Sequence, residues 1–177
     1  NLKTTKYKDG TAIPTGHSDS DWSNLSTDAY ALYAPAPTCG DCYGKYYNWY
    51  AVDYGQGLCM EGWHVPSDAE WTILTDYLGG ESVAGGKMKE AGLDHWDSPN
   101  EGATNESGFS ARPAGCRDSI NGEYYYQGEF GLFWSSSESS EDSINSAWYR
   151  GLKSYSSGVF QHDPNKGAGY SIRCLKD

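Results

Sequence analysis

Trp63-His64-Val65-Pro66-Ser67-Asp68-Ala69-Glu70-Trp71-Thr72-Ile73-Leu74-Thr75-Asp76-Tyr77-Leu78-Gly79-Gly80 is the stretch whose reading decides the fold. Ser67 and Glu70 are spaced for a capping box, in which each side chain bonds the other's backbone N–H. Asp68 and Glu70 suit the positive end of a helix dipole. Trp71, Leu74 and Leu78 fall three to four apart on one face, so a helix is predicted over 68–78. Gly79-Gly80 stops it. A second, shorter helix is expected to begin at Glu81, with Gly85-Gly86 breaking it early.

Upstream of this helix, residues 1–45 are polar and carry turn signals at Asp9-Gly10, Pro14, Gly16, Pro35 and Pro37. A short strand near Leu2–Tyr7 followed by loop is expected there. Tyr46-Tyr47-Asn48-Trp49-Tyr50-Ala51-Val52 is rich in β-formers and reads as a buried segment. Downstream, the chain reads as short strands at Gly108–Pro113, Glu123–Gln127, Leu132–Ser137, Ala147–Leu152, Val159–His162 and Tyr170–Leu175. Asn121-Gly122 signals a hairpin. Helices early and strands late give an α+β chain with antiparallel sheet. No internal repeat and no linker is visible, so residues 1–177 are read as a single domain.

Composition limits the functional classes. Thirteen Lys+Arg against twenty-four Asp+Glu give a formal charge of −11. That argues against nucleic acid, whose phosphates are held by clustered cations, and against an anionic membrane surface. No apolar run approaches the ~20 residues that span a bilayer. Leu, Ile, Val and Phe number only 23, whereas Trp, Tyr and Phe together make 26 rings. Each ring buries ~150–250 Å², so the core is expected to be built from rings instead of aliphatics. Five cysteines in an acidic Gly-, Ser- and Tyr-rich chain suggest an oxidising compartment, with at least one bridge and one thiol left over. With Asn1 at the start and no signal segment, the chain reads as a domain of a longer exported protein.

Several ordered strings then resemble one bacterial family: Asn1-Leu2-Lys3-Thr4-Thr5, Tyr47 to Val52, Cys59-x-x-Gly62-Trp63-His64-Val65-Pro66-Ser67-Asp68-Ala69-Glu70-Trp71, Leu78-Gly79-Gly80-Glu81, Asn105 to Phe109, Trp134-Ser135-Ser136-Ser137-Glu138, Ala147-Trp148-Tyr149-Arg150 and Ser171-Ile172-Arg173-Cys174. The chain resembles the Fibrobacter succinogenes major paralogous domain from end to end. The resemblance implies a C-type-lectin-like fold in the branch of formylglycine-generating enzyme: one or two helices packed on short antiparallel strands with long ordered loops. It also implies an exported or surface-attached protein of a gut or rumen bacterium. In that fold class the segment before the main helix packs on the terminal strand, which implies a Cys59–Cys174 bridge. Residues 134–174 further resemble the variable region of proteins diversified by retroelements. The frame-like residues are Trp134, Glu138, Ala147-Trp148, Leu152, Val159, Gly169 and Ser171 to Cys174. Tyr149, Gly151, Tyr155, Phe160, His162, Asp163 and Asn165 lie between them as candidate ligand contacts.

The residues support a binding face independently. Over 135–170, Ser, Tyr, Gly and Asn fill 19 of 36 positions, the palette of antibody-like recognition loops. Such a stretch cannot make its own core, so Trp134, Trp148, Leu152 and Ile172 are its expected anchors. His162-Asp163-Pro164-Asn165 reads as a turn that displays its polar residues at a loop tip. A turn with no role explains it equally well. In Tyr124-Tyr125-Tyr126, strand alternation points Tyr125 away from its neighbours, with one side packing inward and the other free to extend the surface.

Cys39-Gly40-Asp41-Cys42 reads as a local Cys39–Cys42 disulfide, with Cys116 left as a thiol. A bridge from Cys116 to either member is the alternative, and neither a redox nor a zinc pattern is complete. No cofactor is expected. Calcium is considered at Asp118-Ser119-Ile120-Asn121-Gly122-Glu123, which lacks EF-hand spacing and reads better as a solvated hairpin. The sugar-and-calcium strings of true C-type lectins are absent, and Trp148-Tyr149-Arg150 stands at the place of one of them. No nucleophile elbow, phosphate loop or zinc-protease motif appears. His64 reads as a hydrogen-bonded core histidine, and His17 and His95 lie in polar loops with no visible partner. The expectation is therefore a non-enzymatic ligand-binding domain of adhesin or receptor type, outside the cell or on its surface. Its expected partner is a protein or glycan on another cell or on a phage or host surface, with no nucleic acid and no membrane insertion. A structural adhesin module without its own ligand and a calcium- or carbohydrate-binding lectin are the rival readings.

Overall fold

The computed structural model describes residues 1–33 and 42–177. The turn signals at Pro35 and Pro37 and the expected Cys39–Cys42 bridge, through Cys39, lie outside the described residues. The protein is α+β, with few helices and short antiparallel strands in small sheets.

Element formation follows local chemistry closely. Helix α1 (Asp19–Trp22) is a single turn capped by Ser18, whose hydroxyl accepts from the Asp21 amide while Asp21 answers the Ser18 amide. Strands β1 (Tyr30–Ala31) and β2 (Tyr46–Tyr47) pair antiparallel. The expected β-rich segment then turns helical: Asn48 caps α2 (Trp49–Val52) by accepting from the Ala51 amide, and also accepts from the Ala29 amide. A cap that settles two buried amides outweighs the weak strand preference of Trp-Tyr-Ala-Val. Strand β3 (Trp63–His64) leads into α3 (Asp68–Tyr77), where the Ser67/Glu70 capping box forms as read.

Helix α4 (Ala84–Met88) departs from expectation in an informative way. It starts after Glu81 and runs straight through Gly85 and Gly86. A Cβ on Gly85 would stand 2.1 Å from the Gly158 carbonyl oxygen, and one on Gly86 2.3 Å from that of Gly102. These glycines are not breakers; they let two loops lie directly on the helix.

Strands β4 (Cys116–Arg117) and β5 (Tyr124–Tyr125) form the hairpin signalled by Asn121-Gly122. The main sheet is β6 (Phe130–Glu138), β7 (Ala147–Lys153) and β8 (Val159–His162), in that order. Strand β9 (Leu175–Lys176) pairs with β3. Leu2–Tyr7 and Gly108–Pro113 make only single bridges, at Lys6 and Ala111, and Tyr170 and Ser171 likewise bridge singly to Tyr47 and Phe133.

Both faces of the β6-β7-β8 sheet are covered. On one, Leu132, Trp134 and Tyr149 pack with Tyr47, Trp49, Tyr170 and Ile172. On the other, Phe133, Leu152 and Val159 meet Trp71 of α3, Met88 of α4 and Trp96. Rings supply much of the volume; three of the buried indoles are used as ties, while the N–H groups of Trp22 and Trp71 are buried without a hydrogen-bond partner among the described residues. The Trp49, Trp96 and Trp134 indoles donate to the carbonyls of Ser135, Ala111 and Tyr47 at 2.8–2.9 Å.

Five Lys and Arg side chains among the described residues are also buried; Lys45 lies over the Tyr30 ring, and the other four are held by oxygen. Lys89, with no exposed surface, donates to the carbonyls of Glu101, Lys153 and Ser156. Lys166 meets Glu138 and the Ser143 carbonyl at 2.6 Å. Arg117 reaches Asp19 and the Gly122 carbonyl. Arg150 on β7 reaches Asp68 and Thr72 on α3. Burial without such partners would cost several kcal/mol per ion.

Cys59 and Cys174 form the implied bridge, 115 residues apart in sequence, and Cys116 is a buried free thiol. No helix among the described residues is long and apolar enough to cross a membrane.

Candidate functional site

Strand alternation puts Tyr149, Gly151 and Lys153 of β7 on one face, opposite His162, Phe160 and Phe130 of the flanking strands. Towards the end of β7 that face leaves the core and meets solvent. Gly151 has no side chain, and the Phe160 ring occupies the space: a Cβ there would stand 2.2 Å from the ring. Phe160 therefore lies flat across the sheet. From it a line of rings runs over the surface: Phe160 to Phe130 at 6.4 Å, Phe130 to Tyr155 at 6.1 Å, Phe130 to Tyr126 at 4.8 Å, and Tyr126 to Tyr125 at 5.9 Å. Tyr126 and Tyr155 are each about half exposed, at 51%. The Lys153 ammonium sits among them, 4.4 Å from the Phe160 centroid, 5.7 Å from Tyr155 and 5.9 Å from Phe130. These separations are in the range of favourable cation–π contact.

At its other end the line dips into the protein. Phe160 meets Tyr149 edge-on at 5.8 Å, Tyr149 stacks against His162 and touches Tyr170 at 5.0 Å. Tyr170 lines a cleft of about 770 Å³, bounded by Tyr50, Cys116, Asp118, Pro164 and Asn165 among others. Burial pushes the Cys116 thiol up to about 12 and the Tyr149 phenol up to about 12, and holds Tyr170 well above its ordinary range. At neutral pH these groups are an uncharged thiol and uncharged phenols. A protonated thiol is a poor nucleophile, so the cleft offers hydrogen-bonding hydroxyls and ring faces.

The seven contact candidates separate by depth. Tyr155, Phe160, His162 and Asn165 reach the surface, His162 with its side chain 72% exposed. Tyr149 and Gly151 are buried and lie beneath the face, where they support Phe160 and His162. Asp163 is partly covered. It accepts from the Ser139 hydroxyl at 2.6 Å and lies 3.0 Å from His162 Nδ1, contacts that hold its carboxyl below the usual range. Asn165 turns its Oδ1 back to the Gly167 amide and borders the cleft. Of the expected anchors, Trp134, Leu152 and Ile172 are buried, whereas Trp148 is only partly so, because its position on β7 alternates with core-facing Ala147 and Tyr149.

Sequence reading missed Lys153 and Phe130. Their meeting depends on the β6–β7 register, which shifts between Trp134 and Glu138 and cannot be counted from spacing. In the tyrosine run, Tyr124 packs on Tyr46 and donates to the Leu32 carbonyl while Tyr125 faces out. Tyr126 breaks the alternation at φ 62°, which brings its ring back beside Tyr125.

Other candidates take different roles. His64 is not a core residue; it lies half-exposed between Asp177, at 2.6 Å, and Glu70, at 3.0 Å, and both raise its pKa. His95 has a partner after all, Glu90 at 2.5 Å. His17 gives its backbone carbonyl to Arg117. In the calcium candidate, Asp118 Oδ1 accepts from the amides of Ile120 and Asn121, and Glu123 accepts from Tyr125, so these oxygens hold the hairpin. Among the described residues no three His, Cys, Asp or Glu side chains converge as a metal site.

Comparison with curated proteins and with solved structures finds no match. The family model described as the Fibrobacter succinogenes major domain matches residues 1–176, nearly the whole length, and this chain belongs to that family.

Proposed function

We propose that this chain is a ligand-binding domain of adhesin or receptor type, displayed outside the cell as part of a longer exported protein. The observation that carries the reading is the line of rings from exposed Tyr125 and Tyr126 through part-buried Phe130 to Phe160, continued by Tyr149 into the cleft at Tyr170. Exposed tyrosines give large contact area with few rotatable bonds, and the neighbouring Ser- and Gly-rich turns supply adaptable hydrogen bonds. Clustered exposed rings are also uncommon on a surface without a partner. The disulfide between Cys59 and Cys174 fits an oxidising compartment.

The fold we assign is C-type-lectin-like. Supporting it are the disulfide that joins the segment before α3 to the end of the chain, and the first strand-like residues lying against the last. The Leu2 amide donates to the Ile172 carbonyl at 2.9 Å. Diversification by a retroelement belongs to the same proposal. Trp134, Leu152 and Ile172 are 0–1% exposed, while Tyr155, His162 and Asn165 between them face water. Such a division lets side chains change without disturbing the frame.

The experiment is a screen of glycans and surface proteins with the intact chain, with and without chelator, followed by Tyr155→Ala, Phe160→Ala and His162→Ala. Any hit should weaken ~10-fold or more for at least one ring substitution, as expected of an aromatic contact at the centre of an interface; Tyr155→Ala and His162→Ala should leave the melting temperature unchanged, and Phe160→Ala, which also removes packing on the sheet, is compared well below its own melting temperature. A ligand bound equally by all three variants would remove the site. For diversification, the flanking DNA should hold a near-copy of the last forty codons that differs at adenines.

A further inference from the structure

We infer that the ring-lined face takes a sugar bearing a single carboxylate, with Lys153 as the group that selects the acid. This deepens the proposed function and rests on it.

The starting observation is a cation in an unusual position. The chain has nearly twice as many acidic as basic residues, and three of its buried cations are paired with a carboxylate: Lys166 with Glu138, Arg150 with Asp68, Arg117 with Asp19. Lys153 forms no ion pair among the described residues. Its ammonium is instead held over three rings, Phe160, Tyr155 and Phe130. Ring faces offset part of the lost hydration, but they accept none of the three N–H bonds strongly. Directly opposite Phe130 in the register, Lys153 is set at the middle of the exposed line of rings. A ligand on those rings meets its positive charge first.

Two features of the face then define the ligand. Rings tilted 42–68° to one another offer apolar faces that suit the C–H faces of a pyranose. The ammonium suits a carboxylate on that sugar, through a charge-assisted bond of ~2.7–2.9 Å. The whole chain, at −11, repels polyanions. One acid at or near the end of a chain fits; a densely sulfated or nucleic polymer does not. Hexuronic and sialic acids share this chemistry.

The test is calorimetry on the intact chain with two trisaccharides, one ending in a hexuronic acid and one in a sialic acid. Each is compared with its methyl ester, which keeps the ring and removes the charge. The expected result is binding of at least one free acid, weakened ~10-fold or more by esterification and equally by Lys153→Met. Lys153→Arg should restore most of it, and added salt should weaken it. Equal binding of acid and ester, no effect of Lys153→Met, or binding only of an acidic peptide overturns the inference, as does failure of every sugar. Tyr155→Ala separates this from the broader reading. A ligand lost with Tyr155→Ala and indifferent to Lys153→Met keeps the face and removes the acid; a ligand indifferent to both removes both.

Discussion

Removal of Asp68 should damage this protein more than its partly exposed position suggests. Asp68 is the first residue of α3, and its carboxylate accepts from the Arg150 guanidinium on β7, whose side chain is only 5% exposed. Thr72 Oγ1, at 3.0 Å, is the other side-chain partner of Arg150. Asp68→Ala leaves a guanidinium buried between helix and sheet without its counter-charge. Breaking one partner of such a pair costs ~3–5 kcal/mol. Asp68 keeps 29% of its side chain in water, so the lower end applies, about 3 kcal/mol. Loss of a carboxylate from the first helical turn adds ~0.3–1 kcal/mol. A chain of this length should therefore melt about 7–16 °C lower, at ~2–4 °C per kcal/mol. Arg150→Met in the same chain should return most of the loss, because the stranded charge is gone and a linear apolar side chain fills its channel. The assay is urea unfolding followed by tryptophan fluorescence on the wild type, both single variants and the double. A cost below ~1 kcal/mol for Asp68→Ala, or strict additivity of the pair, would refute the reasoning.

Reduction of the Cys59–Cys174 bridge, or Cys59→Ser, frees a loop of 115 residues. The chain-entropy estimate is ~5 kcal/mol, an upper figure, and a drop in melting temperature with reductant checks it. Gly151→Ala should lift the Phe160 ring off the sheet at a cost of ~1–3 kcal/mol, visible in near-ultraviolet circular dichroism. Phe160→Ala in the same chain should relieve that cost, and persistence of the loss would mean that the backbone, not the ring, is what clashes. The Tyr149 phenol is raised by burial from 10.0 to about 12. Its unfolded form ionises first, so this contribution to stability is complete below pH 10 and disappears as pH rises towards 12. Alkaline titration at 295 nm should show late phenols that ionise with unfolding; titration of all fifteen near pH 10 in the folded protein would contradict it.

The elements read correctly from sequence are those whose cause is local. Ser67 and Glu70 lie three apart and cap α3 without help from the rest of the chain. Val159 to His162 was legible as a strand to the residue. The elements misread are those decided at a distance. Gly85 and Gly86 look like breakers until Gly158 and Gly102 arrive on top of them. Tyr46 to Val52 is buried over most of its length, as read, but its β-forming Trp49 to Val52 turn helical because Asn48 caps them while also serving Ala29, nineteen residues earlier. The candidate site follows the same division. Composition exposed the palette of 135–170, and Tyr155, Phe160 and His162 do share one surface. Lys153, Phe130 and the burial of Tyr149 depend on strand register, which no spacing rule reports.

Lys89 carries a consequence for recognition. Its ammonium grips the carbonyls of Lys153 and Ser156, on either side of the loop that presents Tyr155, from a position sealed from water. Gly85 lets the same loop rest on α4 a few residues further on. The loop is therefore frozen before any partner arrives, and docking need not forfeit backbone freedom there, a saving of ~1–2 kcal/mol for each residue already fixed. Under the proposed binding role, a side chain that replaced Tyr155 would inherit a loop that is already preorganised.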